Sequence, residues 1–302
     1  MVRILLLWVS FAGQFLIAQQ IAPTPLPPVA PAVSGNNNIQ VVMATVFSRD
    51  SSAEAVAAED FELKENGKQV SITAVRKLAR PPLHYCVVFD ISKSEQASFS
   101  FQQEEAGSIL ARIIRPGVDR GWITFFNDEA RESTETGDPR QIQSLILQMI
   151  PKGGTSLYDS VAGCARRMEK NEGPNRQELR AMFLFTDGDD DASNLSLNEA
   201  LNAVEAGDLR LFAFAPQLEL DRRGKRALEK FTEATGGRFF VPGNTKGLQR
   251  AINQVEQDLD NLLEISYIPR LTQSGMPKID LKSRKRGVSV LAPEQAVFSK
   301  IR

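Results

Sequence analysis

Apolar residues recur along this chain with two alternating periods, and that alternation predicts the architecture before any chemistry is considered. Residues 85–89 (Tyr85-Cys86-Val87-Val88-Phe89) and 181–185 (Ala181-Met182-Phe183-Leu184-Phe185) are continuous apolar runs without a polar position. Such runs mark strands buried on both faces of a parallel sheet. Residues 121–126 and 209–215 predict two more strands, 130–134 a short edge strand and 238–241 a last one. Between them the period lengthens: Ala106, Ile109, Leu110 and Ile113 fall at i, i+3, i+4 and i+7 of a helix over 101–114. Helices are also expected over 141–150, 157–170, 223–235 and 246–263, and from the capping box Ser196-Leu197-Asn198-Glu199 onward. Strand and helix in alternation specify an α/β fold, a doubly wound, mostly parallel sheet flanked by helices. Residues 39–47, 61–64 and 69–75 near one end, and 264–268, 278–282 and 288–291 near the other, read as strands too. Asn66-Gly67 supplies a hairpin turn, because both positions tolerate positive φ. Three short strands are not stable alone, so the two ends are expected to combine into a small β-rich domain with the α/β domain inserted between them.

The first residues follow another pattern. Met1-Val2-Arg3 precedes an apolar run to Ala18, which predicts a secretory signal peptide over 1–18; the run is too short for a comfortable membrane span. Five prolines between Pro23 and Pro31, then Ser34-Gly35-Asn36-Asn37-Asn38, predict a linker over 19–38. The expected organisation is completed by a β segment over 39–80, the α/β domain over 81–263 and a C-terminal β segment over 264–302. Export to the periplasm or beyond follows from the leader, with no transmembrane segment left after its removal. Composition adds one exclusion: with 36 basic and 37 acidic residues the net charge is -1, which does not suggest nucleic acid or an anionic membrane as a partner.

Candidate chemistry gathers where the buried strands end. The first runs into Asp90-Ile91-Ser92-Lys93-Ser94 and the second into Thr186-Asp187-Gly188, while Lys152-Gly153-Gly154-Thr155-Ser156 is a glycine-loosened loop that presents the Thr155 hydroxyl. Sites in open parallel sheets lie beyond the carboxyl ends of the strands. Asp90, Ser92, Ser94, Thr155 and Asp187 are all hard oxygen donors, the ligand type that Mg²⁺ and Ca²⁺ accept.

Asp90-x-Ser92-x-Ser94, Gly154-Thr155 and Thr186-Asp187-Gly188 resemble, in order and rough spacing, the metal-ion-dependent adhesion site of von Willebrand factor A domains. The likeness extends to a bacterial secreted group of such proteins through Ala58 to Lys68, Gly236-Gly237-Arg238-Phe239-Phe240 and Tyr267-Ile268-Pro269. The resemblance implies that Ser92, Ser94 and Thr155 give hydroxyl oxygens to a divalent cation, and that Asp90 and Asp187 support it largely through waters. Mg²⁺ is the first expectation, with Ca²⁺ or Mn²⁺ as alternatives. It further implies an adhesion or protein-binding module, not an enzyme, whose cation accepts an Asp or Glu side chain of a protein partner. One residue departs from the pattern: Lys93 stands where the family usually has Gly.

Two other function classes are expected to fit less well. A structural or assembly protein of the cell envelope would carry the same residues as a vestigial site. A phosphatase of the haloacid dehalogenase type also places an Asp after a buried strand, but it needs a carboxylate two residues later as general acid, and Ser92 stands there. The single histidine, His84, precedes Asp90 by a strand's length and reads as an ordinary strand-end residue. Asp189-Asp190-Asp191 reads as an acidic loop at a helix N-terminus and Lys282 to Arg286 as a charged turn. Export permits a disulfide, yet strand and helix backbones usually lie ~10 Å apart, so Cys86 and Cys164 are expected as buried free thiols.

Overall fold

The computed structural model describes residues 39–48, 56–170, 178–270 and 276–295. The predicted leader over 1–18 and linker over 19–38 lie outside them. The chain begins with β1 (Gln40–Ser48), a 3-10 turn (Ala58–Asp60), β2 (Phe61–Glu65), β3 (Lys68–Val70) and β4 (Ile72–Lys77). The α/β part follows: β5 (Leu83–Asp90), a 3-10 turn (Lys93–Ala97), α1 (Phe99–Ile113), β6 (Arg120–Phe126), β7 (Ala130–Glu132), α2 (Pro139–Leu147) and α3 (Leu157–Lys170). It continues with β8 (Leu179–Phe185), α4 (Leu197–Ala206), β9 (Arg210–Phe214), α5 (Arg222–Thr235), β10 (Arg238–Phe240) and α6 (Thr245–Asp260). The chain returns through β11 (Leu262–Tyr267), β12 (Ile279–Ser283) and β13 (Val288–Leu291).

The central sheet has the order β10-β9-β8-β5-β6-β7, parallel throughout except for the antiparallel edge strand β7. This is the doubly wound α/β arrangement that the residue pattern specified. Its strand order reverses at β5, with β6 and β7 on one side and β8, β9 and β10 on the other. A crevice therefore opens at the carboxyl end of β5, where Asp90 is the last residue. The continuous apolar run of β5 is explained by two cores. Tyr85, Val87 and Phe89 join Ile109, Leu110 and Val255 on one face, while Cys86 and Val88 join Val161, Leu184 and Phe231 on the other. On the first face a row of stacked rings (Phe183 on Phe212, Phe185 on Phe214, Phe214 on Phe240, centroids 5.1–5.8 Å apart) ties β8, β9 and β10 together.

The two ends of the chain combine as expected. One sheet has the order β13-β1-β11-β4 and the other β12-β2-β3, so strands from the start and finish of the sequence are neighbours in both. These sheets belong to the same compact unit as the α/β part. The junction is polar: buried Arg210 donates to Thr45 Oγ1 (2.8 Å), Met43 O (2.9 Å) and Gly236 O (3.1 Å), which satisfies a guanidinium that could not otherwise stay inside. Among the described residues no helix is long and apolar enough to cross a membrane.

Three expectations need correction. The strand predicted over 69–75 is two strands in different sheets, β3 paired with β2 and β4 with β11. The last helix stops at Asp260, because Leu262 and Leu263 are needed as buried residues of β11. Cys86 and Cys164 are not free: they form a disulfide, with Cα atoms 6.6 Å apart. The usual strand-to-helix spacing does not hold at this point. Ser160 lies one turn before Cys164 on the same face of α3, buried and with its hydroxyl donating to Ser156 O (2.7 Å), and a side chain this small leaves the helix room to approach β5 there.

Candidate metal centre

The loop after β5 is built by its own hydrogen bonds. Asp90 has one carboxylate oxygen fixed by the Ser92 N–H (2.8 Å) and the other by the Thr186 hydroxyl (2.6 Å). The chain then turns under Lys152, whose N–H donates to Ile91 O (2.8 Å), and Lys93 N–H donates to Gly153 O (3.2 Å). These bonds bring the 152–155 loop against the serine loop. The Ser92 and Ser94 hydroxyls lie 3.1 Å apart; Ser92 is buried and Ser94 faces solvent.

Thr155 is placed from the opposite side. Its N–H donates to Asp191 Oδ1 (2.6 Å), and its carbonyl accepts from the N–H groups of Asp191 and Ala192 (3.0 Å each). The Gly154 N–H donates to Asp128 Oδ1 (2.9 Å). Glycine is required just before: Gly153 has φ +82°, and a Cβ there would lie 2.2 Å from Asp128 Oδ2. The acidic loop sits at a helix N-terminus as expected, that of α3, where the Tyr158 N–H donates to Asp190 Oδ1 (3.2 Å). Ser156 and Asp159, spaced as a capping pair at the start of α3, do not bond each other. Asp159 instead accepts from the N–H groups of Asn194 and Leu195 (2.9 Å each), and Ser156 Oγ has no partner.

Asp187 enters from β8, and with it comes a residue that the sequence motifs did not single out. The Asp187 N–H donates to Glu95 Oε1 (2.5 Å), and the other oxygen of Glu95 accepts from Gln102 Nε2 of α1 (2.8 Å). Glu95 is fully buried. One oxygen of Asp187 accepts from the Asp189 N–H (3.0 Å), while Oδ2 is buried without a hydrogen-bond partner. One carboxylate oxygen each from Asp90, Glu95 and Asp187 lie within 4.8 Å of one another. Burial pushes the Asp90 carboxyl up to about 7, despite the bonds from Ser92 and Thr186, and the nearby Asp187 adds to the rise. Burial, then the charges of Asp90 and Asp187, push Glu95 up to about 10. Its place in the sequence, an acid directly after the second serine and ahead of a helix, does not by itself set it apart from a solvated charge.

Asp90, Ser92, Ser94 and Asp187 therefore lie together at the carboxyl edge of the sheet, and Thr155 shares the lining of an adjoining cleft of about 510 Å³ with Ser94. Three converging carboxyls, an orphaned Asp187 oxygen and a hydroxyl pair make a donor set that suits a hard divalent cation. Lys93, Asp189, Asp190, Asp191, Asp221 and Arg223 complete the cleft wall.

Comparison with known proteins adds likenesses of fold. No family model matches the chain, and no curated protein does. Among solved structures, the chain is similar to a von Willebrand factor type A protein from Catenulispora acidiphila at 10% identity, covering 86% of this chain and 74% of that one with a TM-score of 0.48. It is similar to the conserved hypothetical protein BatB from Bacteroides thetaiotaomicron at 15% identity, covering 59% of this chain and 98% of that one with a TM-score of 0.46. A third similar structure is proximal thread matrix protein 1 from the mussel byssus with a zinc-occupied MIDAS motif, at 15% identity and a TM-score of 0.48. That match covers 66% of this chain and 50% of the byssus protein.

Proposed function

We propose that this chain, a von Willebrand factor A-like α/β module, is an exported, non-enzymatic binding protein that uses a divalent cation to receive an acidic side chain of a protein partner. The observation that carries the reading is the buried Asp187 oxygen without a partner, facing two further buried carboxyls at the switch point of the sheet. Three carboxyls buried this close together gain from a cation that joins them.

Ser92, Ser94 and Thr155 would hold the ion through neutral hydroxyls, and Asp90 and Asp187 would support it. Mg²⁺ fits this role because it keeps several waters and needs few protein ligands; Ca²⁺ and Mn²⁺ are the alternatives. A bound ion of this kind supplies an electrophilic centre for an incoming carboxylate. The chain's own residues do the rest. Ser92 and Thr186 fix the Asp90 carboxylate, Asp191 and Asp128 fix the Thr155 loop, and Glu95 fixes the backbone of Asp187. Export is supported by the leader pattern of residues 1–18.

Calorimetry with Mg²⁺, Mn²⁺ and Ca²⁺ is expected to show one site, lost in Asp90→Ala and in Asp187→Ala. Binding unchanged in both variants overturns the assignment. A pull-down from envelope extract is expected to lose its partner when chelator is added. Partner capture indifferent to chelator would favour an envelope assembly role with a vestigial site.

A further inference from the structure

The open edges of the three sheets meet in a cleft that shares no wall residue with the metal centre. β10 ends the central sheet, β13 ends the sheet β13-β1-β11-β4, and β12 ends the sheet β12-β2-β3. All three line a cavity of about 860 Å³, whose other walls are the last turns of α5, the first turns of α6 and residues 292–294. An edge strand exposes a row of unpaired backbone donors and acceptors, a template for any extended chain that reaches it.

On β10 that row faces away from the sheet. The Phe240 carbonyl accepts from the Ala215 N–H (3.0 Å) on the β9 side, and the backbone groups of successive strand residues point to opposite sides. The N–H and C=O of Phe239 therefore point away from β9, to an edge that has no strand neighbour among the described residues. On β12 the outward row begins with the Ile279 N–H, which donates to Glu294 O (2.6 Å); Leu281, two residues on, turns its backbone the same way, and among the described residues no strand meets it there. Apolar surface lines the same cavity: Val241 is 40% exposed, and Val290 and Leu291 are half-buried.

The walls are acidic. Glu229, Glu233, Asp280 and Glu294 stand against Arg238 and Arg250, so acids outnumber bases by four to two, and Arg238 is already bonded to Asp258. Lys225 and Lys282 pair with Glu229 and Asp280, whereas Glu233 and Glu294 are exposed and in no ion pair among the described residues. A second copy of this chain would bring the same acids against these, which disfavours it as the occupant. An extended segment with basic side chains meets both the charge and the free backbone row.

We propose that this cleft is a peptide-binding site, in which an extended segment of a partner protein, with basic side chains alternating with apolar ones, adds as a strand to β10. Backbone bonds to Phe239 supply the pairing, the acidic walls select the basic side chains, and Val241, Val290 and Leu291 take the apolar ones. No step involves the cation, so the site stands or falls separately from the cation-dependent reading above.

The test uses the full chain, in EDTA and in Mg²⁺, with labelled six-residue peptides read by fluorescence anisotropy. A peptide alternating lysine with valine is expected to bind at least about tenfold more tightly than one alternating glutamate with valine, equally with and without Mg²⁺. N-methylation of one alternate set of its backbone amides should weaken it by about tenfold or more, while methylation of the other set should leave it within about threefold. The double variant Glu233→Gln with Glu294→Gln, at two exposed positions, should narrow the preference for lysine and leave the Tm unchanged. Equal binding of the two peptides, equal tolerance of the two methylated forms, or a preference untouched by the double variant would overturn the proposal. Binding of neither peptide would overturn it too, by showing that the acids only keep stray strands off these edges. Competition by Mg²⁺ would place the peptide at the metal centre, and a self-associated chain that the lysine peptide returns to monomer would make a second copy the occupant; either result rejects the site as proposed.

Discussion

Chelating divalent cations and raising the pH is expected to destabilise this protein by an amount that the buried carboxyls set. Asp90 is 0% exposed, and its carboxyl stands at about 7 in the cation-free fold against 3.8 for an ordinary aspartate. An acid whose value is raised by folding binds its proton more tightly in the folded state, so stability must fall as pH rises between the two values. Below about pH 4 the penalty is absent, and above about pH 7 it is complete. The interval between 3.8 and about 7 corresponds to ~4 kcal/mol. Glu95, raised for the same reason, adds its own fall from about pH 4.5 upward and carries the decline beyond pH 7. For a chain of this size ~4 kcal/mol is a drop in Tm of roughly 10 °C.

The assay is thermal unfolding from pH 4.5 to 8, with EDTA and with millimolar Mg²⁺, on the wild type and on Asp90→Asn. In EDTA the wild-type Tm is expected to decline across the range. The asparagine can still accept from the Ser92 N–H, so Asp90→Asn should decline less and lie above the wild type at pH 8 in EDTA. Mg²⁺ should raise the wild-type Tm most at pH 8, where Asp90 is ionised, and leave the variant unmoved. At 100 times its dissociation constant the ion contributes ~2.7 kcal/mol. A wild-type Tm that is flat or rising with pH in EDTA, or indifferent to Mg²⁺ at pH 8, refutes the reasoning, because either result means that the Asp90 carboxyl is not held in a cation-seeking environment.

Three further outcomes follow from other buried groups. Glu105 on α1 is fully buried with both carboxylate oxygens unpartnered, and burial pushes it up to about 8. Glu105→Met is expected to raise stability at pH 8 by ~2 kcal/mol or more, with the gain shrinking towards pH 4.5 as the acid takes up its proton; a lower Tm at pH 8 would contradict this. The Cys86–Cys164 disulfide spans 78 residues, a separation that contributes ~4.5 kcal/mol on a chain-entropy model, so the double alanine variant should unfold at markedly lower denaturant. Two thiols titrating in unreduced, denatured protein would exclude the bond. Gly188 has φ +85°, and a Cβ on it would lie 2.7 Å from the Gly224 backbone; Gly188→Ala should therefore cost ~1–3 kcal/mol and weaken cation binding by shifting Asp187. Wild-type Mg²⁺ affinity in that variant would show that the close approach of α5 does not set the site.

How much of this was legible in the residues depends on how local the information is. The β5 and β8 runs announce themselves because both faces of a central strand are buried, and their carboxyl ends mark the site by topology alone. The helix of 157–170 was legible by period, but its distance from the sheet was not. Period reports which face is buried and says nothing of how closely two backbones approach, so the disulfide was misjudged. The split between β3 and β4 was hidden for a related reason: each strand takes its partner from a different part of the chain, β2 in one case and β11 beyond residue 260 in the other.

Glu95 shows where such reading stops. As a letter it is one more acid after a serine, indistinguishable from a solvated charge on a helix cap. Its role exists only because β8 lies beside β5 and delivers the Asp187 N–H to its carboxylate, while α1 folds back to place Gln102 on the other oxygen. Those contacts span 92 and 7 residues. A residue whose partners are supplied by two separate elements is invisible to any motif confined to one loop. If Glu95 acts by fixing the Asp187 backbone, Glu95→Gln, which keeps an acceptor for that N–H, should retain most cation affinity. Glu95→Ala should lose it by tenfold or more, since it leaves both the N–H and Gln102 without their partner. Equal losses in the two variants, measured by calorimetry with Mn²⁺, would mean that the charge of Glu95 contributes directly, and the cluster would then be a three-carboxylate site in its own right.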